Sequence, residues 1–277
     1  MKKLILAAVV PVAILAAPAM AADMFVKAKV PPPPVIDWSG IYVGGSIGGV
    51  WTDAHRFMPN LPQVGIPAQT FTSHGNDTIY DVHVGLQWQW QQWILGVEGG
   101  YSQGARGIGS SVSVSPPEPF THLAATTKLT ELFTVGPRVG YAWDRFMAYG
   151  TGGYALERIN GSYTCADTGI PVLPGPGACS AVFGPVVSQM DFGGVTFNNG
   201  WFAGLGLEVM AWRGPGFDVI LGAEYQHFEA EQKLAFQCTV AQCGPTQHQN
   251  FLQDVAGNIV RARLSIKTDG WGPFAVR

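Results

Sequence analysis

Between Tyr80 and Trp90 apolar and polar residues alternate without a break. Tyr80, Val82, Val84, Leu86, Trp88 and Trp90 fall on one side of a strand, and Asp81, His83, Gly85, Gln87 and Gln89 on the other. The apolar side ends in a pair of tryptophans. That is the pattern of a strand with lipid outside, a polar lumen inside and an aromatic girdle at the interface. One such strand also suits a soluble half-buried sheet, so the reading depends on repetition.

The spacing predicts eight strands, over residues 38–51, 78–90, 93–103, 129–143, 146–160, 199–212, 217–228 and 258–267. Trp93, Leu95, Val97 and Tyr101 oppose Glu98, Gly100 and Ser102. Phe133, Val135, Val139 and Tyr141 oppose Thr134, Gly136, Arg138 and Gly140. Trp201, Ala203, Leu205, Leu207 and Val209 oppose Gly204, Gly206 and Glu208. Val260, Ala262, Leu264 and Ile266 oppose Arg261, Arg263, Ser265 and Lys267.

The connections alternate in length. Gln91-Gln92, Asp144-Arg145 and Arg213-Gly214-Pro215-Gly216 are short, whereas 52–77, 104–128, 161–197 and 229–257 are long. Compact domains rarely hold four loops of that length. Short turns at one end and long loops at the other describe an eight-stranded antiparallel transmembrane β-barrel, with turns in the periplasm and four extracellular loops.

Composition points the same way. Charged residues are 13% of the chain, against the roughly 25% usual for soluble domains, while hydrophobic residues reach 47%. A net charge of −3 gives no nucleic-acid footprint. Lys2, Lys3, a short apolar run from Leu4 to Ala17, and Ala19-Met20-Ala21 read as a secretory signal. No later segment has the roughly 20 apolar residues a spanning helix needs. The expected organisation is a signal peptide over 1–21, a proline-rich periplasmic linker over 22–37, a barrel over 38–267 and a tail over 268–277. Pro31-Pro32-Pro33-Pro34 makes the linker extended.

Cys165 and Cys179 fall in one expected loop, and Cys238 and Cys243 in another. In an exported chain this suggests one disulfide per loop. Zinc is the sharper alternative, but no histidine stands at ligand spacing.

The polar strand faces carry Asp81, His83, Glu98, Arg138, Glu157, Glu208, Glu224, Arg261, Arg263 and Lys267. An eight-stranded barrel has room only for side chains to fill it, and enclosed charges must pair or be hydrated. The expectation is an ionic network with trapped water rather than a channel, with Arg261 and Arg263 beside Glu224. A conduction path through these charges is the rival. No catalytic residue is assigned, for no nucleophile, base and orienter cluster is visible, and His83 reads as a network member. His55, His74, His122 and His248 lie on the long loops and read as solvated, with haem or metal contact the sharper alternative. No cofactor or metal is assigned. The glycine doublets match no phosphate-binding motif and read as strand glycines that ease bending.

Trp38-Ser39-Gly40-Ile41-Tyr42-Val43-Gly44-Gly45 resembles the opening of the outer-membrane immunogenic proteins of alphaproteobacteria, an opacity-like porin family. Val135-Gly136-Pro137-Arg138-Val139-Gly140-Tyr141-Ala142, Tyr149-Gly150-Thr151-Gly152-Gly153-Tyr154-Ala155 and Val260-Arg261-Ala262-Arg263-Leu264 resemble it too. The resemblance covers 38–267. It implies an outer-membrane barrel with antigenic surface loops, and some relatives are described as porins or haem binders. The last strand departs from the family's aromatic ending, which leaves Trp271, Phe274 or an internal signal for the barrel assembly machinery. The expected role is structural and surface-interacting. The expected partners are outer-membrane lipid and lipopolysaccharide, the assembly machinery, and a host or small-molecule ligand at the loops. The alternatives are porin-like passage of small solutes, and haem or host-ligand binding through the loops. An outer-membrane enzyme and a soluble lipocalin-like barrel are weaker rivals.

Overall fold

The computed structural model describes residues 36–58, 68–104, 110–114, 121–167, 189–231, 233–237 and 250–268. The expected signal peptide, most of the linker and the tail beyond residue 268 lie outside the described residues, as do Cys179, Cys238 and Cys243.

Ten strands form one antiparallel sheet. They are β1 (Gly40–Met58), β2 (Gln69–Trp90), β3 (Trp93–Gly104), β4 (Ser110–Val114), β5 (Thr121–Trp143), β6 (Phe146–Asp167), β7 (Gln189–Arg213), β8 (Phe217–Ala230), β9 (Lys233–Gln237) and β10 (Asn250–Thr268). The eight long strands follow in the order β1-β2-β3-β5-β6-β7-β8-β10, and β10 pairs back with β1 to close the barrel. The two short strands are additions, β4 on β5 and β9 on β10.

The register sets the tilt. The pairing line that leaves β1 at Val50 passes through Ile259, Gln226, Gly204, Thr151, Arg138, Gly96 and Gln87. It returns to β1 at Gly40, ten residues nearer the turn end. Such a stagger inclines the strands to the barrel axis. A line across the strands from β5 to β8 therefore climbs toward the long-loop end.

The alternation holds around the wall. Val43, Val82, Val84, Leu95, Val135, Leu205, Leu207, Val260 and Leu264 stand exposed on the outside, where lipid takes the place of water. Trp88, Trp90, Trp93, Tyr141, Trp143, Phe146, Trp212 and Phe217 form a girdle at the turn end, with edge and tilted ring contacts between neighbours. Trp51, Tyr80, Tyr154 and Trp201 mark the opposite border.

The strands outrun the expected bounds at the long-loop end. β1 continues to Met58 and β2 begins at Gln69, so most of the expected 52–77 loop is a hairpin. Likewise β6 reaches Asp167 and pairs with β7 from Gln189, which corrects the placement of Cys165. Its backbone lies in β6 opposite Met190, not in a loop. The reason is visible in β2, whose outward face turns from Tyr80 to Thr78, Asn76, His74, Thr72 and Thr70. Beyond the lipid the ladder continues, but its outer side meets water and the apolar signal stops.

Candidate functional site

The expected functional feature is the lumen, and its inward residues fall into three layers. At the turn end Trp38, Ile94, Ala142, Met147, Met210 and Ile220 form a buried apolar cluster that also includes Tyr149. Toward the long-loop end Val50, Ile79, Leu132, Ala155, Phe202, Phe228 and Ile259 form a second. The charges lie between. The polar lumen face expected from the sequence is thus interrupted by apolar clusters toward both ends, which share those levels with buried Gln87, Asp218 and Lys267 on the turn side and with buried Glu157, Asn198 and Gln226 on the loop side. Inward and outward residues are both apolar there, so the period-2 contrast vanishes from the sequence.

In the middle layer Glu98 and Glu224 are the hubs. Arg263 donates to Glu98 at 2.9 and 2.5 Å and to Glu224 at 2.5 Å. Arg138 reaches Glu98 at 3.2 Å and Glu208 at 2.6 Å. Arg261, the direct pairing partner of Glu224, donates to it through two nitrogens and lies 3.4 Å from Asp81. Four carboxylates, Asp81, Glu98, Glu208 and Glu224, meet three guanidiniums. His83 lies in the same layer. Each of these charged side chains is almost wholly buried, where an unpaired charge would cost several kcal/mol.

Two tyrosines complete the layer, and the sequence reading passed over both. Tyr42 donates to Glu98 at 2.7 Å and Tyr149 to Glu224 at 2.5 Å. The Arg138 guanidinium lies over the Tyr149 ring, 3.6 Å from its centre. Glycines on adjoining strands make the room. A Cβ on Gly85 would fall 2.3 Å from the Tyr42 ring, and one on Gly206 the same distance from Tyr149. Tyr42 could have been found from its place on the same strand face as Ser46.

Ser265, His83 and Asp81 form a chain that no sequence spacing announces. His83 Nδ1 lies 2.9 Å from Asp81 Oδ1, and His83 Nε2 lies 2.8 Å from Ser265 Oγ. The connectivity is that of a serine-hydrolase triad. The surroundings differ from one. Asp81 also accepts from Ser46 and Ser102. The Gly44 backbone packs so closely that a Cβ there would lie 2.5 Å from Nε2 and 2.7 Å from Oγ. The Gly44 backbone thus crowds the side of the serine–histidine pair that it faces.

Two of the expected charges stand elsewhere. Lys267 pairs with Asp218 at 2.9 Å and donates to the Ser39 carbonyl at 3.3 Å, at the turn end. Glu157 lies opposite Leu132 and Asn198, against the upper apolar cluster. Its carboxylate has no hydrogen-bond partner among the described residues. Among the described residues no group of three or more His, Cys, Asp or Glu side chains could hold a metal ion.

The profile of the family described as "Outer membrane protein beta-barrel domain" matches residues 7–245. The 31 kDa outer-membrane immunogenic protein of Brucella melitensis is 31% identical over a 178-residue alignment, with 60% of this chain and 70% of that protein covered. The protein of that name from Brucella suis matches equally. Among solved structures, the outer membrane protease OmpT of Escherichia coli aligns with TM-score 0.41 and 10% identity, covering 83% of this chain and 97% of that one. OprG of Pseudomonas aeruginosa aligns with TM-score 0.37 and 11% identity over the same shares. With a closed eight-strand barrel, an apolar outer wall between aromatic borders and this profile match, the chain belongs to the outer membrane β-barrel protein family and resides in the outer membrane.

Proposed function

We propose that the protein is a closed, non-enzymatic anchor that displays strands and loops at the cell surface. The observation that carries this reading is the filling of the lumen. An apolar layer, an ionic layer and a second apolar layer follow one another inside a barrel with space for little else. A solute passing through would have to part Arg263 from Glu98 and Glu224 and then cross Phe202 and Phe228. That weighs against the porin-like alternative. The crowding of Ser265 by Gly44 weighs against hydrolysis.

What the barrel offers outward is the wall beyond the lipid: the β1–β2 hairpin, with His74 paired to Asp53 and His55 bonded to Thr72 at 3.0 Å, and the tall β5–β6–β7 wall. Residues 1–21 as a cleaved leader, 22–37 as a periplasmic spacer, insertion by the assembly machinery, and contact with lipopolysaccharide belong to the same proposal. So does capture of a host or small-molecule ligand at the loops. The test is surface labelling of intact cells carrying a peptide tag inserted within residues 59–67. Antibody should reach the tag without permeabilisation. A tag reached only after the outer membrane is opened would reverse the orientation and end the display reading.

A further inference from the structure

A furrow of about 620 Å³ crosses the lipid-facing side of β5 to β8. Its floor is one row of small outward residues, Pro137, Gly152 and Ala203, which ends at His227. Gly152 pairs with Ala203 and Ala203 with His227. Pro137 joins the row beside Gly152, because the next residues along, Arg138 and Thr151, are partners and Thr151 Oγ1 donates to the Pro137 carbonyl at 3.1 Å. Bulkier rows border it. Tyr154 and Trp201 pair on the long-loop side, and Leu205 and Tyr225 on the turn side. The stagger of the barrel makes the row climb, from the middle of the apolar band at Pro137 to the outer aromatic border at His227.

Hydrogen-bonding side chains border the head of an otherwise apolar furrow. Asn258 Oδ1 accepts from the Tyr225 hydroxyl at 2.6 Å and lies 3.0 Å from His227 Nδ1. The His227 ring sits 5.4 Å from that of Trp201.

We propose that this furrow seats one acyl chain of a lipopolysaccharide molecule, with His227 meeting its head region. In hydrocarbon a furrow is filled or its walls lose their contacts. Resting on the orientation proposed above, with the long loops outside, the order of its chemistry, apolar below and hydrogen-bonding above, is that of a lipid entering from the outer leaflet. A second copy would present a convex wall of aliphatic and aromatic side chains. That shape does not enter a furrow one row wide and offers nothing to the imidazole.

The test is native mass spectrometry of the full-length protein released from mild detergent after incubation with purified lipopolysaccharide or phosphatidylethanolamine. The wild type should retain one lipopolysaccharide per barrel. Gly150→Leu with Ala203→Phe fills the furrow from outside. A Cβ on Gly150 meets only ordinary contacts, 3.6 Å from Leu205 and 3.9 Å from the Gly204 carbonyl, and heat-modifiable gel mobility checks that the variant folds. The filled variant should lose the bound species, and His227→Ala, which leaves the wall unchanged, should weaken it. Equal retention by wild type and both variants would overturn the site. Retention of phosphatidylethanolamine in place of lipopolysaccharide would overturn the choice of lipid. A wild-type dimer that the filling abolishes would make the occupant a second copy.

Discussion

Replacing Arg263 by methionine tests whether the middle layer is held by paired, buried charge. Arg263 donates twice to Glu98 and once to Glu224, lies 3.7 Å from Glu208, and is almost wholly enclosed. Methionine keeps much of its volume and removes the charge, leaving Asp81, Glu98, Glu208 and Glu224 with two guanidiniums. Breaking a buried pair from one side costs about 3–5 kcal/mol, because the orphaned charge stays enclosed. Arg213→Met is the control. Arg213 is exposed and 3.7 Å from Asp218, and its loss should cost about 0.5 kcal/mol or less. Urea unfolding of the refolded barrel in lipid vesicles, followed by gel mobility, measures both. Adding Glu98→Gln to Arg263→Met should recover part of the loss, since the two are directly coupled. A cost for Arg263→Met below about 1 kcal/mol, no larger than a surface pair, would mean that these charges are solvated and the sealed-layer account is wrong.

Val84→Arg, on the lipid face near the middle of β2, should cost about 2–4 kcal/mol in membrane insertion, whereas His83→Gln on the opposite face should leave insertion intact. Equal damage in a vesicle-insertion assay would contradict the assigned faces. Gly206→Val should cost about 1–3 kcal/mol through overpacking, since its Cβ meets the Tyr149 ring at 2.3 Å, and Tyr149→Ala in the same chain should relieve part of it. Non-reducing peptide mapping should find Cys165–Cys179 and Cys238–Cys243, and reduction should leave the barrel's gel mobility unchanged. Crossed bonds between the two pairs would refute that connectivity.

The wall of the barrel was legible in the sequence because one physical contrast repeats along it. Where Val82, Val84 and Leu86 face lipid and Asp81, His83 and Gly85 face inward, alternation gives strand, face and register together. The same contrast fails in two places. Above the lipid, β2 carries Thr70, Thr72 and His74 outward, so the hairpin reads as a loop. At the lumen ends, Ile79, Phe202 and Phe228 are apolar on the face expected to be polar, so the plugs are invisible. The charged middle was legible as a set of residues but not as a structure. That Arg261 pairs with Glu224 follows from neighbouring strands, but that Arg263 reaches across to Glu98 on β3, or His83 to Ser265, depends on closure and stagger. Glu157 shares the polar face with the others and yet lies apart, because height in a tilted barrel depends on strand as well as position.

Single-channel recording in planar bilayers tests the sealed lumen most directly. Refolded wild-type monomers should give only small or intermittent events, because the ionic layer and both apolar layers lie across the path. Removing Arg138, Arg261 and Arg263 together should raise the leak or unfold the barrel. A large, steady conductance from wild-type monomers would contradict the account and make the lumen a pore.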